Sequence, residues 1–304
     1  MAIQDFFRIS KEFMKQIEAG EPGVALESAV ITHGLPYPEN LRVALEMEAQ
    51  VVKAGAVPAT IAVLDGEIFV RVNIHQLQKL SKSDNFHKIG VRDFSAAVAK
   101  GWSGGTTVSG TLWAAHIAGL KIFATGGIGG LHREPAYDIS ADLWQLANTP
   151  MIVVCAGAKA ILDLPGTLEM LESYSVPVIG YQTDEFPAFF SRRSGLSVGV
   201  RADNTEKVAD IARAHWDLGL RSAVLVVVPP PDEDAMDADE MDAVIDQALK
   251  EAKHQEVRGQ AVTPFLLKRV SELSAGDSLK ANVSLLKNNA YVAGEIARAL
   301  SIVR

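Results

Sequence analysis

Pro150-Met-Ile-Val-Val-Cys-Ala-Gly-Ala-Lys159 is an apolar run that stops at a lysine. A run without polar alternation reads as a strand covered on both faces. The residues after it, Ala160-Ile-Leu-Asp163, read as part of a helix that begins near Ala158 and that Pro165 ends or kinks early. Ligands in α/β sheets sit at strand ends. A lysine at that junction has apolar neighbours and faces the positive end of a helix, and both disfavour its charged form. The reading predicts a lowered pKa and a neutral amine able to act as a nucleophile, the setting of Schiff-base chemistry. The alternative is a lysine that passes the sheet edge and reaches water with its ammonium.

On either side of this stretch, strand-like runs alternate with amphipathic helices, which predicts an α/β fold. Gly23-Val-Ala-Leu-Glu27 is a short first strand. Glu39 to Ala54 has helical spacing and stops at Gly55. Thr60–Leu64 and Glu67–Val70 flank Asp65-Gly66, a two-residue hairpin signal, so the sheet is expected to be mixed. Further helices are expected over Asn73–Leu80, Thr106–Ala118, Asp138–Ala147, Asn204–Leu218, Thr263–Leu273 and Leu279–Leu300. Further strands are expected at Leu120–Thr125, Val176–Gly180, Ser197–Val200 and Ala223–Val228. With no repeat and no low-complexity linker, residues 1–304 read as one domain.

The bulk properties exclude several classes. A formal net charge of −8 argues against a broad nucleic-acid surface. The one cysteine, Cys155, excludes a disulfide framework and fits a cytoplasmic setting. The N-terminus lacks the apolar core of a signal peptide, and no apolar run approaches membrane-spanning length. The acidic segment after Pro229-Pro-Pro231, Asp232 to about Asp242, reads as a solvated loop and helix start, with a metal tract as the alternative.

Several constellations could carry chemistry. Glu27 leaves an apolar strand, as a general acid or base would. Gly126-Gly-Ile-Gly-Gly130 follows a strand, but Leu131-His-Arg-Glu-Pro135 intervenes before any helix, so a dinucleotide loop is excluded. The glycines instead allow close backbone approach to a ligand, with His132 and Arg133 as polar candidates. Asp138 and Asp142 are spaced i, i+4, which on a helix suits either a hard divalent ion or an Asp138 N-cap. Gly104-Gly-Thr-Thr-Val108 offers backbone N–H groups for a phosphate, with Lys88 as a cationic partner, or else a simple threonine cap at Thr107. Asn282 and Lys287-Asn-Asn289 lie on an otherwise apolar helix and need partners.

Taken together, these segments carry a resemblance. The set is Ala25-Leu-Glu-Ser28, Thr32-His-Gly-Leu-Pro-Tyr-Pro38, Ala124-Thr-Gly-Gly-Ile-Gly-Gly-Leu-His-Arg133, Asp138-Ile-Ser-Ala-Asp-Leu143, Val153-Val-Cys-Ala-Gly-Ala-Lys159, Gly180-Tyr-Gln-Thr-Asp184, Phe186-Pro-Ala-Phe189 and Ala281-Asn-Val-Ser-Leu-Leu-Lys-Asn-Asn-Ala290. It resembles the pseudouridine-5′-phosphate glycosidase family, also called indigoidine-synthase-A-like, over nearly the whole chain. The resemblance implies a three-layer α/β/α fold around a mixed sheet and reversible cleavage of pseudouridine 5′-phosphate to uracil and ribose 5-phosphate. It implies Lys159 as nucleophile and Glu27 as proton donor. Asp138 is then the position of one divalent metal, usually manganese. Lys88, Thr107, Val108, His132, Ser140, Ala141, Asp142 and Asn282 are then substrate-binding positions. A homotrimer is implied as well. A C-glycoside synthase that joins ribose 5-phosphate to another aglycone is the competing reading.

The sequence departs from that pattern in three places. The connection from Leu131 to Asp138 is shorter than in typical members. Ser109-Gly-Thr-Leu-Trp113 is bulkier than the small residues expected there, and Trp113 could bear on the aglycone. Arg71-Val-Asn73 stands where a Gly-Leu turn is expected.

Overall fold

The computed structural model describes residues 3–82, 85–133, 138–257 and 262–302. In chain order the elements are β1 (Phe7–Ile9), α1 (Lys11–Glu18), β2 (Gly23–Leu26), α2 (Glu39–Lys53), β3 (Val57–Leu64), β4 (Glu67–Val70), α3 (Ile74–Lys82), β5 (His87–Ile89), α4 (Phe94–Lys100), β6 (Gly104–Thr106), α5 (Val108–Ile117) and β7 (Ile122–Ala124). They continue as β8 (Leu131–His132), α6 (Ala141–Ala147), β9 (Ile152–Cys155), β10 (Leu162–Asp163), α7 (Leu164–Ser173), β11 (Val178–Tyr181), β12 (Val200–Ala202), α8 (Thr205–Asp217), β13 (Val224–Val227), α9 (Ala238–His254), α10 (Val262–Leu273) and α11 (Asp277–Ser301).

Among the described residues, eleven strands form one mixed sheet, with a main path β1-β4-β3-β2-β7-β9-β13-β11-β12. The strands from β3 through β2, β7, β9, β13, β11 and β12 are parallel, while β4 and β6 run against β3. Every residue of β3, β9 and β13 is buried, which explains why these strands read as unbroken apolar runs. The hairpin between β3 and β4 turns through Asp65 and Gly66, both at positive φ, as the Asp-Gly signal requires.

The three layers follow from handedness. The crossovers β2–α2–β3 and β12–α8–β13 move one way along the sheet, and β7–α6–β9 moves the other way. Right-handed crossovers that travel in opposite directions place their helices on opposite faces. Accordingly α2 and α8 both pack on α11, while α6 packs on α5 and α7.

The chain leaves β2 for β3 on one side and reaches β7 on the other. Glu27 and Thr125, just beyond β2 and β7, therefore flank a topological switch point, where open α/β sheets bind ligands. Beyond Thr60, the last β3 residue paired with β2, β3 pairs with β6, and β5 pairs with β6 through Lys88 and Gly105. This small extension carries Lys88 toward the end of β2.

Several local expectations are corrected. Ala160-Ile-Leu-Asp163 is a turn followed by β10, and the next helix, α7, starts only at Leu164. Pro165 lies in its first turn, where a missing N–H costs nothing, and Asp163 caps it through Gly166 N at 3.0 Å. No helix N-terminus stands at Lys159. Gly104-Gly105 is part of β6, not a helix lead-in. Helix α6 begins at Ala141 with Ser140 as its N-cap, so Asp138 lies outside it and the i, i+4 argument does not apply. The strand expected at Ser197–Val200 is displaced to Val200–Ala202. Strands β1 and β5 and helix α1 were not legible in the sequence. Arg71 takes the left-handed conformation, φ 65°, which glycine would adopt freely. Its guanidinium donates to Gln16 Oε1 and lies 6.0 Å from the Phe13 ring, contacts to α1 that a glycine could not make.

Candidate active site

Glu27 is the first residue beyond β2 and is buried. Its carboxylate accepts a short hydrogen bond from the Thr125 hydroxyl across the switch point. Thr125 is held in turn by Asn289 on α11, whose Nδ2 donates to Thr125 O at 2.9 Å. This is the partner that the Asn289 amide was expected to need. Burial pushes the Glu27 carboxyl above its ordinary value, with Asp142 in the same direction, while Lys159, the Thr125 hydroxyl and Lys88 oppose the rise. A carboxyl raised above its ordinary value beside cations holds its proton more tightly than a free glutamate and is suited to donate it.

Lys159 sits in the connection beyond β9, half-buried, with its N–H donating to Ile128 O at 3.1 Å. Burial pushes the Lys88 ammonium down from its ordinary value, and the Lys159 charge adds to this, against Asp142 and Glu27. Both lysines and Glu27 line two adjoining cavities. The larger, about 380 Å³, is also lined by Thr107, Val108, His132, Asp138, Ser140, Ala141 and Asp142. The smaller, about 60 Å³, adds Asn282, with His33, Phe189 and Leu286. Every site residue implied by the family resemblance thus lines one cavity or both, whereas Arg133 and Asn289 line neither. Glu27, Lys88 and Lys159 are on the shared wall, and Asn282 alone is confined to the smaller side.

Asp142 has a different part from the one its spacing suggested. It is buried, and its two oxygens accept from Ser109 N and Gly129 N, each at 2.8 Å. The carboxylate thus occupies the start of α5 and ties it to the glycine loop. Thr107, the α5 N-cap, accepts from Gly110 N at 3.4 Å. Two first-turn N–H groups expected to meet a phosphate are therefore engaged within the protein, and Lys88 and the exposed Arg92 also line this cavity. The loop glycines are closely packed, and Gly126, Gly127 and Gly129 also present backbone to the two cavities. A Cβ on Gly129 would stand 2.3 Å from Ser140 Oγ and 2.7 Å from Asp142 Oδ2. Replacing Asp142 with alanine is expected to lower stability by about 2–5 kcal/mol, because two buried N–H groups lose their acceptor. The shift in urea midpoint measures it.

His132, in β8, is half-buried, and its N–H donates to Asp138 O at 3.0 Å. Burial lowers the imidazole pKa, the Asp138 charge opposes this, and Lys159 and Lys88 reinforce it. The connection from Leu131 to Asp138 passes through residues 134–137, which lie outside the described residues. Trp113 packs on Phe94, ring centroids 4.6 Å apart, and on Phe7, and lines neither cavity. Thr125 is the residue that sequence reasoning passed over, since nothing in a strand's last threonine signals a partner 98 positions away.

Among the described residues, no group of three or more His, Cys, Asp or Glu side chains could hold a metal ion by itself. On the larger cavity, Asp142 and Asp93 are tied to backbone N–H groups and Glu27 to a hydroxyl. Asp138 has no such tie among the described residues. A hard divalent ion that keeps most of its water needs only one or two carboxylates. The donor set fits that kind of ion and does not fit a closed zinc-type site.

The family model described as indigoidine synthase A like protein matches residues 12–299. A protein named pseudouridine-5′-phosphate glycosidase from Caldanaerobacter subterraneus subsp. tengcongensis is 48% identical over 298 residues, covering 97% of each chain. One of the same name from Paracoccus denitrificans is 49% identical over 297 residues, covering 96% of this chain and 98% of its own. Among solved structures, the prealnumycin C-glycosynthase AlnA, in complex with ribulose 5-phosphate, superposes with a TM-score of 0.90 at 39% identity, covering 97% of each chain. An indigoidine synthase A-like protein from Thermotoga maritima superposes with a TM-score of 0.89 at 34% identity, covering 98% of this chain and 97% of its own. A buried acid, two lysines and a hydroxyl gathered at the switch point of this sheet agree with what those matches say, and the chain belongs to the indigoidine-synthase-A-like, pseudouridine-5′-phosphate glycosidase family.

Proposed function

We propose that the chain cleaves the C–C glycosidic bond of pseudouridine 5′-phosphate, releasing uracil and ribose 5-phosphate, through a covalent adduct on Lys159. The observation that carries this reading is the shared wall, where a buried carboxyl with a raised pKa stands with two lysines between two cavities. The names of relatives nearly half identical over almost their full length support it.

The bond joins C1′ of ribose to C5 of uracil, so protonating a leaving oxygen cannot break it. The Lys159 amine adds at C1′ as the ribose ring opens, and the ring oxygen takes a proton to become a hydroxyl. A proton then reaches uracil C5, delivered by Glu27, whose raised pKa keeps it available. The nitrogen lone pair forms C1′=N as the C1′–C5 electrons return to the pyrimidine, and uracil leaves. Water adds to the iminium, and ribose 5-phosphate departs with Lys159 restored. Lys88 offers charge to the phosphate, while Thr107, Val108, Ser140, Ala141 and Asp142 shape the larger cavity around the substrate. His132 and Asn282 complete the substrate contacts.

Asp138 would hold the divalent ion, manganese by family resemblance. When bound, the ion supplies Lewis-acid polarisation or orientation through its coordinated water. Chelation by EDTA and Asp138→Asn are each expected to lower uracil release, and added manganese should restore only the chelated wild type.

The assignment extends to a homotrimer and a reducing compartment, the latter supported by the lone buried Cys155. Among the described residues no helix is long and apolar enough to cross a membrane. A C-glycoside synthase is the second reading, favoured by the likeness to AlnA. The test is incubation with pseudouridine 5′-phosphate while uracil is followed. Rapid release supports the glycosidase. No release, with ribose 5-phosphate still trapped on Lys159 by borohydride, would replace it with the synthase.

A further inference from the structure

Arg133 follows the His132 strand and lies beside the connection that carries Lys159. Its Nε donates to Leu162 O at 3.3 Å and its Nη2 to Ala160 O at 3.4 Å. Those carbonyls belong to the turn that starts at Lys159, where Leu162 N donates back to Lys159 O at 3.0 Å. The same turn is the start of β10, which pairs with β8 through Leu162 and His132. The far side of the guanidinium meets the acidic helix α9, with Asp246 Oδ1 at 3.2 Å from Nη1 and Asp242 Oδ1 at 3.8 Å from Nη2. One planar cation therefore spans the Lys159 turn, the His132 strand and the acidic segment whose purpose the sequence left open.

We propose that Arg133 is a positioning residue, clamping the Lys159 turn against the His132 strand with Asp242 and Asp246 as its counter-charges. The proposal rests on Lys159 as the nucleophile. A turn between two short elements has few contacts of its own, since β8 and β10 are two residues each. Two carbonyls capped by one fork remove the freedom that such a turn would otherwise keep. Lysine cannot take its place, because a point-like ammonium lacks the rigid fork that reaches two carbonyls and two carboxylates. The pairs to Asp242 and Asp246 are partly exposed, so they add little to global stability. Their work is orientation, where a misplacement near 1 Å costs about a hundredfold in rate.

The guanidinium also lines a cavity of about 480 Å³ that shares Leu162 with the larger site cavity. That space makes a chemical rescue possible. The experiment follows borohydride trapping of ribose 5-phosphate on Lys159 in the full chain, for wild type, Arg133→Ala and Arg133→Lys. Both variants are expected to trap about ten- to a hundredfold more slowly. Half-saturating ribose 5-phosphate and the thermal midpoint should hardly move. Millimolar guanidinium ion should speed the alanine variant, and ammonium should not. Trapping at the wild-type rate in both variants would overturn the clamp and leave the Lys159 reading standing. Slow trapping that guanidinium does not relieve, with a lowered thermal midpoint, would overturn it in favour of a purely structural arginine. A wild-type chain that traps nothing removes the Lys159 reading and the clamp together.

Discussion

Lys159→Ala is expected to lower the rate of uracil release by on the order of 10⁴-fold or more, the scale seen when a covalent nucleophile is removed. Lys159→Arg should be no better, because a guanidinium keeps its proton and cannot add to C1′. Single-turnover uracil release and adduct mass spectrometry would check both. The electrostatics give a second readout. Lys159 helps to hold the Glu27 carboxyl down and the Lys88 ammonium down. Removing its charge should raise both pKa values, and a titration of either group would register this even in an inactive variant. An alanine variant that still releases uracil within tenfold of wild type would mean that Lys159 is not the nucleophile.

Glu27→Gln carries the second large effect, a loss of about 10²–10⁴-fold, the range for a positioned general acid. Glutamine keeps the shape and can still accept from the Thr125 hydroxyl, so the loss isolates the proton. Stability should move the other way. Burial sets the Glu27 pKa above its ordinary value in the folded chain. The folded state therefore binds this proton more tightly than the unfolded state. The stabilisation so gained is complete below the ordinary carboxylate value and is lost as pH rises through the raised one. Above the raised value the wild type lacks that contribution, and the Gln variant has no carboxylate to desolvate. Its urea midpoint should gain on that of wild type as pH rises through the raised value, and the difference should shrink toward pH 4. Equal midpoints across the range would remove the claim of a strained buried acid.

Much of the fold was legible because its signals are local. The Asp65-Gly66 hairpin, the stop of α2 at Gly55 and the Asn204 cap of α8 depend on neighbours a few residues away. The apolar runs of β9 and β13 announced strands covered on both faces. What failed was also local in kind. Strand β6 holds two glycines in three residues, and glycine leaves no pattern to read. Ala160-Ile-Leu-Asp163 passes for helix because a short apolar run fits either period. The candidate site was legible as a set of residue types at strand ends, but its wiring was not. Asp142 read as a metal or substrate carboxylate, yet both its oxygens are committed to Ser109 and Gly129.

By itself, the sequence determined the α/β class, the mixed sheet, the family, and which polar residues stand where apolar strands end. Only the tertiary structure decided that Glu27 faces Thr125, that Lys159 follows a strand without a helix at its side, and that Arg133 joins that turn to the acidic helix. The physical reason is range. Propensity, capping and periodicity act over a turn or two of chain, whereas the pKa of Glu27 and the hold on Lys159 depend on burial and on charges brought together by crossovers of many residues.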